Sequence, residues 1–248
     1  MPVGSTPFPG VGVLYRATDQ MRFLELARAA DERGFTSLVL GEHTHIPVTS
    51  DPRRFPGDGE SIPDSYPRLL DPYVALSFVA AQTSLKIATC TSLPAQHDPI
   101  ALAKALATLD FLSEGRLTLG VGYGWNPDEL VNHGHDYEHR RAIVREHVEL
   151  MRTLWTDNEA EYHGVHANLE RSWSWPKPAQ TSIPVLLGAA GRARRNERAA
   201  RRRGLTRPGR RDLVPAFAVT CSPTCAARSR LGSLVAVEPR IRTPLHYE

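Results

Sequence analysis

The sequence predicts an α/β protein built from repeated βα units around a parallel sheet. Short β-type runs alternate with longer segments of helical period up to Ala190, and each strand-like run ends in polar or glycine-rich residues. The composition is that of a globular chain, with 41% apolar and 23% charged residues. Five strands with intervening helices suit either a doubly wound sheet or most of a (β/α)8 barrel, and periodicity alone does not separate these two folds.

The first two units follow each other closely along the chain. A strand near residues 11–15 leads into a helix, and Gly34 stands just after that helix, where a left-handed residue commonly ends it. The second strand, over residues 37–40, runs into the polar stretch GEHTHIP. Side chains at the carboxyl ends of parallel strands converge on one open face, so this stretch is a candidate for chemistry. The loop over residues 47–70 is rich in Pro, Gly, Asp and Ser, and its length predicts a functional insertion over that face.

Three further strand-like segments and their helices complete the predicted sheet. The strands are expected within LKIATCTSLP, GRLTLGVGYGW and IPVLLG. The spacing of apolar residues predicts helices over 73–81 and 100–112, and a long helix that carries Val144, Val148, Met151 and Trp155. The segment AEYHGVHANLERSWSWPKPAQ, which precedes the last strand, predicts a hairpin or an ordered loop.

Several classes of protein are disfavoured by what the chain contains. The start, MPVGSTPFPGVGVLY, has neither a basic region nor an apolar run of signal-peptide length, so we expect a cytoplasmic protein without a membrane segment. The three cysteines are too few for a disulfide framework. The histidines of HGHDYEH (His133, His135 and His139) match no common ligand spacing, so we expect no metal site.

Three blocks of sequence carry a resemblance to a known family. GFTSLVLGEHTHIP, ALAKALATLDFLSEGRLTLGVGYGWNPDEL and SIPVLLGAAG together resemble the luciferase-like monooxygenase superfamily, and within it the bacterial oxidoreductases that use the deazaflavin coenzyme F420. The resemblance covers residues 11–191. It implies a TIM-like (β/α)8 barrel of the bacterial luciferase type with a long insertion. It also implies a deazaflavin or flavin across the C-terminal face and hydride transfer or oxygenation at its ring.

The resemblance assigns the candidate catalytic and cofactor-binding residues. Glu42 and His43 match the Glu-His pair that lies beside the ring in this family, where a histidine can exchange a proton with a substrate alcohol. The alternative, that His43 only holds the ring, stays open. The segments after the third and fourth strands are expected to contact the cofactor through Thr91, Ser92, Gln96, His97, Gly122 and Gly124.

Two further residues match the family's GWN…E pattern, Trp125 and Glu129. Some deazaflavin sugar dehydrogenases have a catalytic acid directly after these glycines, and Trp125 stands at that position in this chain. Trp125 can equally serve in packing. The resemblance therefore disfavours a sugar phosphate as the substrate.

The last part of the resemblance is a phosphate-binding turn after the fifth strand. Gly188, Ala189, Ala190 and Gly191 match that turn, where backbone N–H groups at a helix start hold a phosphate, and Arg192 is a candidate for the same phosphate. We therefore divide the chain into a barrel portion, residues 1–191, with its insertion at about 47–70, and an atypical arginine-rich tail, residues 192–248.

Charge changes sharply at the start of this tail. Residues up to Ala190 hold 16 Lys and Arg against 23 Asp and Glu, whereas residues 191–248 hold 14 Arg, no Lys and 4 acids. Three hypotheses explain the tail: a basic arm for nucleic acid, a phosphate grip, or a divergent or frameshifted ending. The third is favoured because the apolar helical pattern stops here and the remaining residues are too few for three more βα units.

The sequence as a whole predicts an oxidoreductase that transfers a hydride between coenzyme F420 and a small organic substrate. Three alternatives stay open: an FMN-dependent luciferase-like monooxygenase, an inactive truncated remnant, and a nucleic-acid-binding protein that uses the basic tail. Nucleic acid is the least favoured partner because no recognised nucleic-acid fold accompanies the arginines. A homodimer is compatible with the sequence.

Overall fold

The computed structural model describes residues 10–13, 22–55, 61–188 and 234–237. Its strands are β1 (Gly10–Val13), β2 (Ser37–Leu40), β3 (Lys86–Thr89), β4 (Leu117–Val121), β5 (Ala160–His163), β6 (Asn168–Ser172), β7 (Val185–Leu187) and β8 (Leu234–Val237). Its helices are α1 (Phe23–Glu32), α2 (Pro72–Gln82), α3 (Pro99–Leu112), α4 (Pro127–Asn132) and α5 (Arg140–Thr156).

The main sheet is parallel over five of its strands. The strand order is β7-β4-β3-β2-β1-β8, and only the last pair, β1 with β8, is antiparallel within the described residues. Helices connect successive parallel strands, so the strands are βα units as predicted. The carboxyl ends of β2, β3, β4 and β7 therefore lie along one edge of the sheet. The polar or glycine-rich residues that follow these strands in the sequence lie at this edge.

A left-handed glycine ends α1 as predicted. Gly34 has φ +78°, its N–H donates to Asp31 O at 2.9 Å, and the N–H of Phe35 donates to Ala30 O at 3.1 Å. This pair of bonds is a Schellman motif, which satisfies the last carbonyls of the helix and turns the chain toward β2.

Three helices begin with the same local signal, an Asx residue followed by proline. Asp71, Asp98 and Asn126 are the N-caps of α2, α3 and α4, and each side chain accepts a hydrogen bond from a backbone N–H in the first turn. Proline at the first helical position lacks only an N–H that would have no helical partner. No helix in the described part of the chain is long and apolar enough to cross a bilayer.

The core lies between the parallel sheet and its helices. Alternate residues of the strands face the helices, and each fully buried Leu or Ile side chain contributes roughly 1.5–3 kcal/mol. The fully buried core residues on strands and helices include Leu38, Ile87, Leu117, Leu119, Leu76, Leu106, Leu150 and Met151. The predicted hairpin is also present: β5 and β6 pair antiparallel, and Ala160 and Leu169 join the same core.

Arg116, just before β4, forms hydrogen bonds that link three segments of the chain. Its guanidinium donates to Ala80 O at 2.7 Å, to Thr83 O at 2.8 Å and to Leu85 O at 3.0 Å. Its Nε also donates to Ser113 O at 2.8 Å. One side chain therefore satisfies carbonyls at the end of α2, before β3 and after α3.

We expect Arg116→Ala to lower the free energy of unfolding by about 2–3 kcal/mol, since it leaves several partly buried carbonyls without their charged donor. Urea unfolding followed by circular dichroism measures the loss. The matched control is Arg33→Ala, which removes one bond of 3.3 Å at an exposed helix end and should cost less than about 0.5 kcal/mol. Equal losses in the two variants would contradict the role of Arg116.

Candidate active site

Glu42 and His43 follow β2 at the edge where the parallel strands end. Their side chains reach different elements of the protein. Glu42 bonds to residues of the loop between β3 and α3, whereas His43 bonds to α4 and to the loop before it. Adjacent side chains of an extended segment point in opposite directions, so two neighbouring residues belong to two separate hydrogen-bond networks.

The carboxylate of Glu42 is buried, with 4% of the residue exposed, and it is held by three donors. Leu93 N–H lies 2.6 Å from Oε2, and His97 Nε2 lies 2.6 Å from Oε1. The Tyr73 hydroxyl donates to Oε2 at 3.2 Å and lies 2.5 Å from Ser92 Oγ. Burial and the charge of Glu42 raise the pKa of Tyr73 well above its usual value, so the phenol keeps the proton that it donates.

His97 is the charged partner of Glu42. Burial lowers the pKa of His97, but the hydrogen bond to Glu42 and its negative charge outweigh burial and raise the pKa above 6.5. The imidazolium is therefore favoured beside this carboxylate. Ser92 and His97, both expected to contact the cofactor, lie in this network, in which their side chains bond to protein groups.

His43 has a different carboxylate partner, Glu129. Nδ1 of His43 lies 2.9 Å from Oε2 and 3.1 Å from Oε1 of Glu129, and the two side chains are 7% and 1% exposed. Trp125 Nε1–H donates to Nε2 of His43 at 3.2 Å. Because Nε2 accepts a hydrogen bond, the ring proton is assigned to Nδ1, which donates to the carboxylate. This arrangement leaves Nε2 as the basic nitrogen.

Local sequence explains how Glu129 reaches this position. Asn126 caps α4 by accepting from Asp128 N–H, and it donates to Ser50 Oγ at 2.9 Å, which joins α4 to the insertion loop. Glu129 is the third residue of α4, where a Glu commonly bonds back to the cap. In this protein it bonds to His43 instead. Sequence reasoning placed Glu129 in the family pattern and did not assign it a partner.

Aromatic side chains surround His43, and two of them come from the insertion loop. The ring of Tyr66 lies 5.2 Å from that of His43, and Trp125 lies 5.7 Å from it. Phe55 packs edge-on against both Tyr66 and Trp125, at 4.9 and 5.4 Å. We call Phe55, Tyr66 and Trp125 the aromatic enclosure; it makes the surroundings of His43 apolar apart from Glu129.

The ends of β3, β4 and β7 carry small residues. A Cβ at Gly122 would lie 2.4 Å from Thr91 Oγ1, and a Cβ at Gly188 would lie 2.6 Å from Thr91 Cγ2. Glycine is therefore required at both positions for Thr91 to fit between them. Gly124 follows with φ +74°, a conformation that glycine adopts without strain. Together these residues let the ends of three strands pack closely around Thr91.

The remaining predicted residues lie apart from this edge or beyond the described ranges. Gln96 accepts from Thr44 Oγ1 at 3.2 Å and lies next to His97 at a separate pocket. The turn residues 189–191 and Arg192, like most of the tail, lie outside the described residues. Within the described ranges, no three His, Cys, Asp or Glu side chains are placed to hold a metal ion.

We expect Glu42→Gln to lower the pKa of His97 below 6.5, because the amide keeps the shape of the carboxylate and removes the charge that opposes burial. NMR titration of the histidine ring signals measures the pKa in both proteins. Glu149→Gln, at an exposed carboxylate bonded to Tyr162, is the matched control and should leave His97 unchanged.

The Glu42–His97 pair makes the stability of the folded protein depend on pH. His97 binds its proton more tightly in the folded protein than in the unfolded chain, so its stabilisation is complete below 6.5 and is lost as the pH rises through the folded pKa. Glu42→Gln should abolish this loss. An unchanged pKa of His97 in the variant would show that Glu42 does not hold the proton.

Comparison with known proteins matches this chain to one family. The model of the luciferase-like monooxygenase family matches residues 5–205. An uncharacterized protein of Mycobacterium tuberculosis is 51% identical over 167 residues, which are 66% of this chain and 59% of that protein. The F420-dependent glucose-6-phosphate dehydrogenase of Segniliparus rotundus is 31% identical over 68% of this chain and 47% of its own length. The chain thus spans about half the length of these relatives.

Solved structures of the same fold bind two related cofactors. An F420-dependent secondary alcohol dehydrogenase, in complex with an F420-acetone adduct, has a TM-score of 0.58 and 22% identity, over 75% of this chain and 53% of its own. The oxygenating constituent of 3,6-diketocamphane monooxygenase from Pseudomonas putida, in complex with FMN, has a TM-score of 0.59 and 20% identity, over 74% and 51%. These similarities confirm the predicted barrel fold, and the chain belongs to the luciferase-like monooxygenase family.

Proposed function

We propose that this chain carries the hydride- and proton-transfer site of an F420-dependent oxidoreductase that acts on a small organic substrate. The observation that carries the proposal is the His43–Glu129 pair. A basic imidazole nitrogen stands at the edge where β2, β3, β4 and β7 end, next to strand ends that carry small residues. In barrels of this kind the reaction takes place at this edge.

The residues at this edge fit a flat ring cofactor. Thr91, Gly122 and Gly188 are small residues at the strand ends that a planar ring would approach, and the aromatic enclosure would supply apolar surface beside it. The predicted turn after Gly188 would hold the phosphate of the coenzyme. When it is bound, the deazaflavin supplies a carbon atom that accepts or donates a hydride.

The protein's own contribution is to hold and move one proton. Glu129 keeps the His43 proton on Nδ1, so Nε2 can take the hydroxyl proton of an alcohol while its carbon loses a hydride to the coenzyme. In the reverse direction Nε2 returns a proton to a carbonyl oxygen as the carbon gains a hydride. Glu129 stabilises the imidazolium that forms, as the carboxylate of a catalytic triad does.

Trp125 must release Nε2 of His43 for this step, because its N–H occupies the nitrogen that the substrate would use. The enclosure favours a compact substrate with apolar groups. A sugar phosphate is disfavoured, since Trp125 stands at the position where some deazaflavin sugar dehydrogenases have a catalytic acid. An FMN-dependent monooxygenase is the second candidate, because the fold neighbours include an FMN-bound enzyme.

The first test compares the two cofactors on the same protein. We expect oxidised F420 to bind saturably at micromolar concentration, followed by the coenzyme's fluorescence, and FMN to bind more weakly. Tighter binding of FMN would favour the monooxygenase. If neither cofactor bound, the proposed function would be wrong.

The second test concerns His43. With reduced F420 and a panel of small ketones and aldehydes, we expect His43→Asn to lower kcat by about 10²–10⁴-fold, because the variant loses the group that supplies the proton. Its affinity for the coenzyme should stay within about threefold of the wild type. The control is His45→Asn, at a half-buried residue bonded to Thr44 and Asn132. Wild-type turnover by His43→Asn would exclude His43 as the proton donor.

A further inference from the structure

A pocket of about 310 Å³ lies beside the proposed active site, and histidines dominate its walls. Eight residues line it: Gln96, His97, Asp98, Pro99, His133, His135, His147 and His166. Five of the ten histidines of the chain are thus gathered around one cavity. We call it the histidine pocket. Neither the hydride-transfer site nor the proton step at His43 uses it.

These histidines come from four separate parts of the fold. His97 follows β3, His133 and His135 lie after α4, His147 lies on α5, and His166 lies in the turn between β5 and β6. The cluster therefore combines histidines that are far apart in the sequence. Tertiary packing brings the rings together, with the centroids of His135 and His147 at 6.1 Å.

His147 is the most buried member, with 2% of the residue exposed. Its Nδ1 bonds to Pro94 O at 3.0 Å, which assigns the ring proton to Nδ1 in the neutral form. With Nδ1 bonded to Pro94 O, Nε2 is the ring nitrogen of His147 that a ligand in the pocket would meet.

The carboxylates near the pocket are already engaged. Glu42 bonds to His97, and Glu129 bonds to His43. Asp98 accepts from Ala101 N–H at 2.8 Å, and Glu146 accepts from His166 N–H at 2.6 Å. No Lys or Arg is among the residues that line the cavity. Asp98, which lines the cavity, and Glu146 nevertheless act to raise the pKa of His147, and Glu129 acts to raise that of His133, so these carboxylates partly balance protons on the pocket.

Burial and neighbouring rings keep three of the imidazoles neutral. Burial lowers the pKa of His133, and the nearby His45 and His97 lower it further. Burial and His166 lower the pKa of His135. Burial also lowers the pKa of His147, against a bond to Pro94 O that raises it. Acid therefore adds positive charge on three imidazoles around this cavity, where Asp98 is the one carboxylate among the described lining residues, and an added anion can neutralise the excess.

We propose that the histidine pocket is a binding site for a small oxyanion, and that the anion binds together with protons taken up by His133, His135 and His147. Protonated imidazoles would offer N–H donors from the loop after α4 and from α5, and the Gln96 amide lines the same cavity. Nε2 of His133 already lies 2.8 Å from Thr44 Oγ1, which leaves Nδ1 of that ring for the anion. The cavity has room for an oxyanion with a small organic body. A metal ion fits less well, because no three ligating side chains converge in the described residues.

Proton linkage predicts how the stability of the protein and the affinity of the anion change with pH. Because the pKa of each of these histidines is lower in the folded protein than in the unfolded chain, stability is full above 6.5 and falls as the pH drops below it. An anion that binds the protonated pocket reverses part of this loss. Its affinity therefore rises as the pH falls, by up to tenfold per pH unit for each proton taken up.

The probe is sulfate, whose charge does not change between pH 5.5 and 8.0, with chloride at equal ionic strength as the reference. We expect the sulfate dissociation constant, from isothermal titration calorimetry on the full chain, to be at least about tenfold lower at pH 5.5 than at pH 8.0. The ring signals of His133, His135 and His147 should shift together in the NMR spectrum. Affinity that does not change with pH would overturn the proposal.

Variants separate this pocket from general charge effects. His133→Asn combined with His135→Asn, both in a loop, should weaken sulfate binding at pH 5.5 by at least about fivefold, and His147→Asn should do the same. The control is His163→Asn, at a residue of which the side chain is 54% exposed and paired with Glu161. Equal binding by the pocket variants and the control, or zinc binding at micromolar concentration in place of sulfate, would overturn the oxyanion site. Cofactor binding tests the proposed function separately.

Discussion

The buried carboxylate of Glu42 is the interaction on which the site depends. A charge removed from water is costly unless hydrogen bonds and an opposite charge satisfy it. Leu93 N–H and His97 supply these from the loop after β3, and Tyr73 supplies a further bond from α2. These bonds hold the end of β2 against its neighbours. The direction of the next side chain, His43, is set as a consequence.

The burial of Glu42 places His43 and His97, which lie at the same edge of the sheet, in different environments. His43 has a buried carboxylate at Nδ1 and aromatic rings around it, so its other nitrogen is basic and sheltered from water. His97 has its carboxylate too, but its ring also borders a cavity. Residues 42 and 43 thus connect the proposed reaction site on one side with the histidine pocket on the other.

Several individually weak contacts hold the insertion loop and α4 over the site. The bond from Asn126 to Ser50 and the edge-on packing of Phe55 against Trp125 fasten the loop over His43. Trp125 meanwhile satisfies Nε2 of His43. The closed arrangement is therefore internally satisfied, and a substrate must replace one of these contacts to reach the imidazole.

The sequence by itself determined the order and type of most elements, whereas α4 and β8 were not predicted. Apolar spacing, Asx-Pro starts and the glycine after α1 act within a few residues, so the parallel βα units, the hairpin and the edge with His43 could be predicted. The sequence did not reveal that Glu129, 86 residues away, is the partner of His43, or that Glu42 pairs with His97, 55 residues away. Nor did it show that five histidines share a cavity. Only the tertiary structure decided these, because such contacts depend on strand register and loop packing rather than on neighbouring residues.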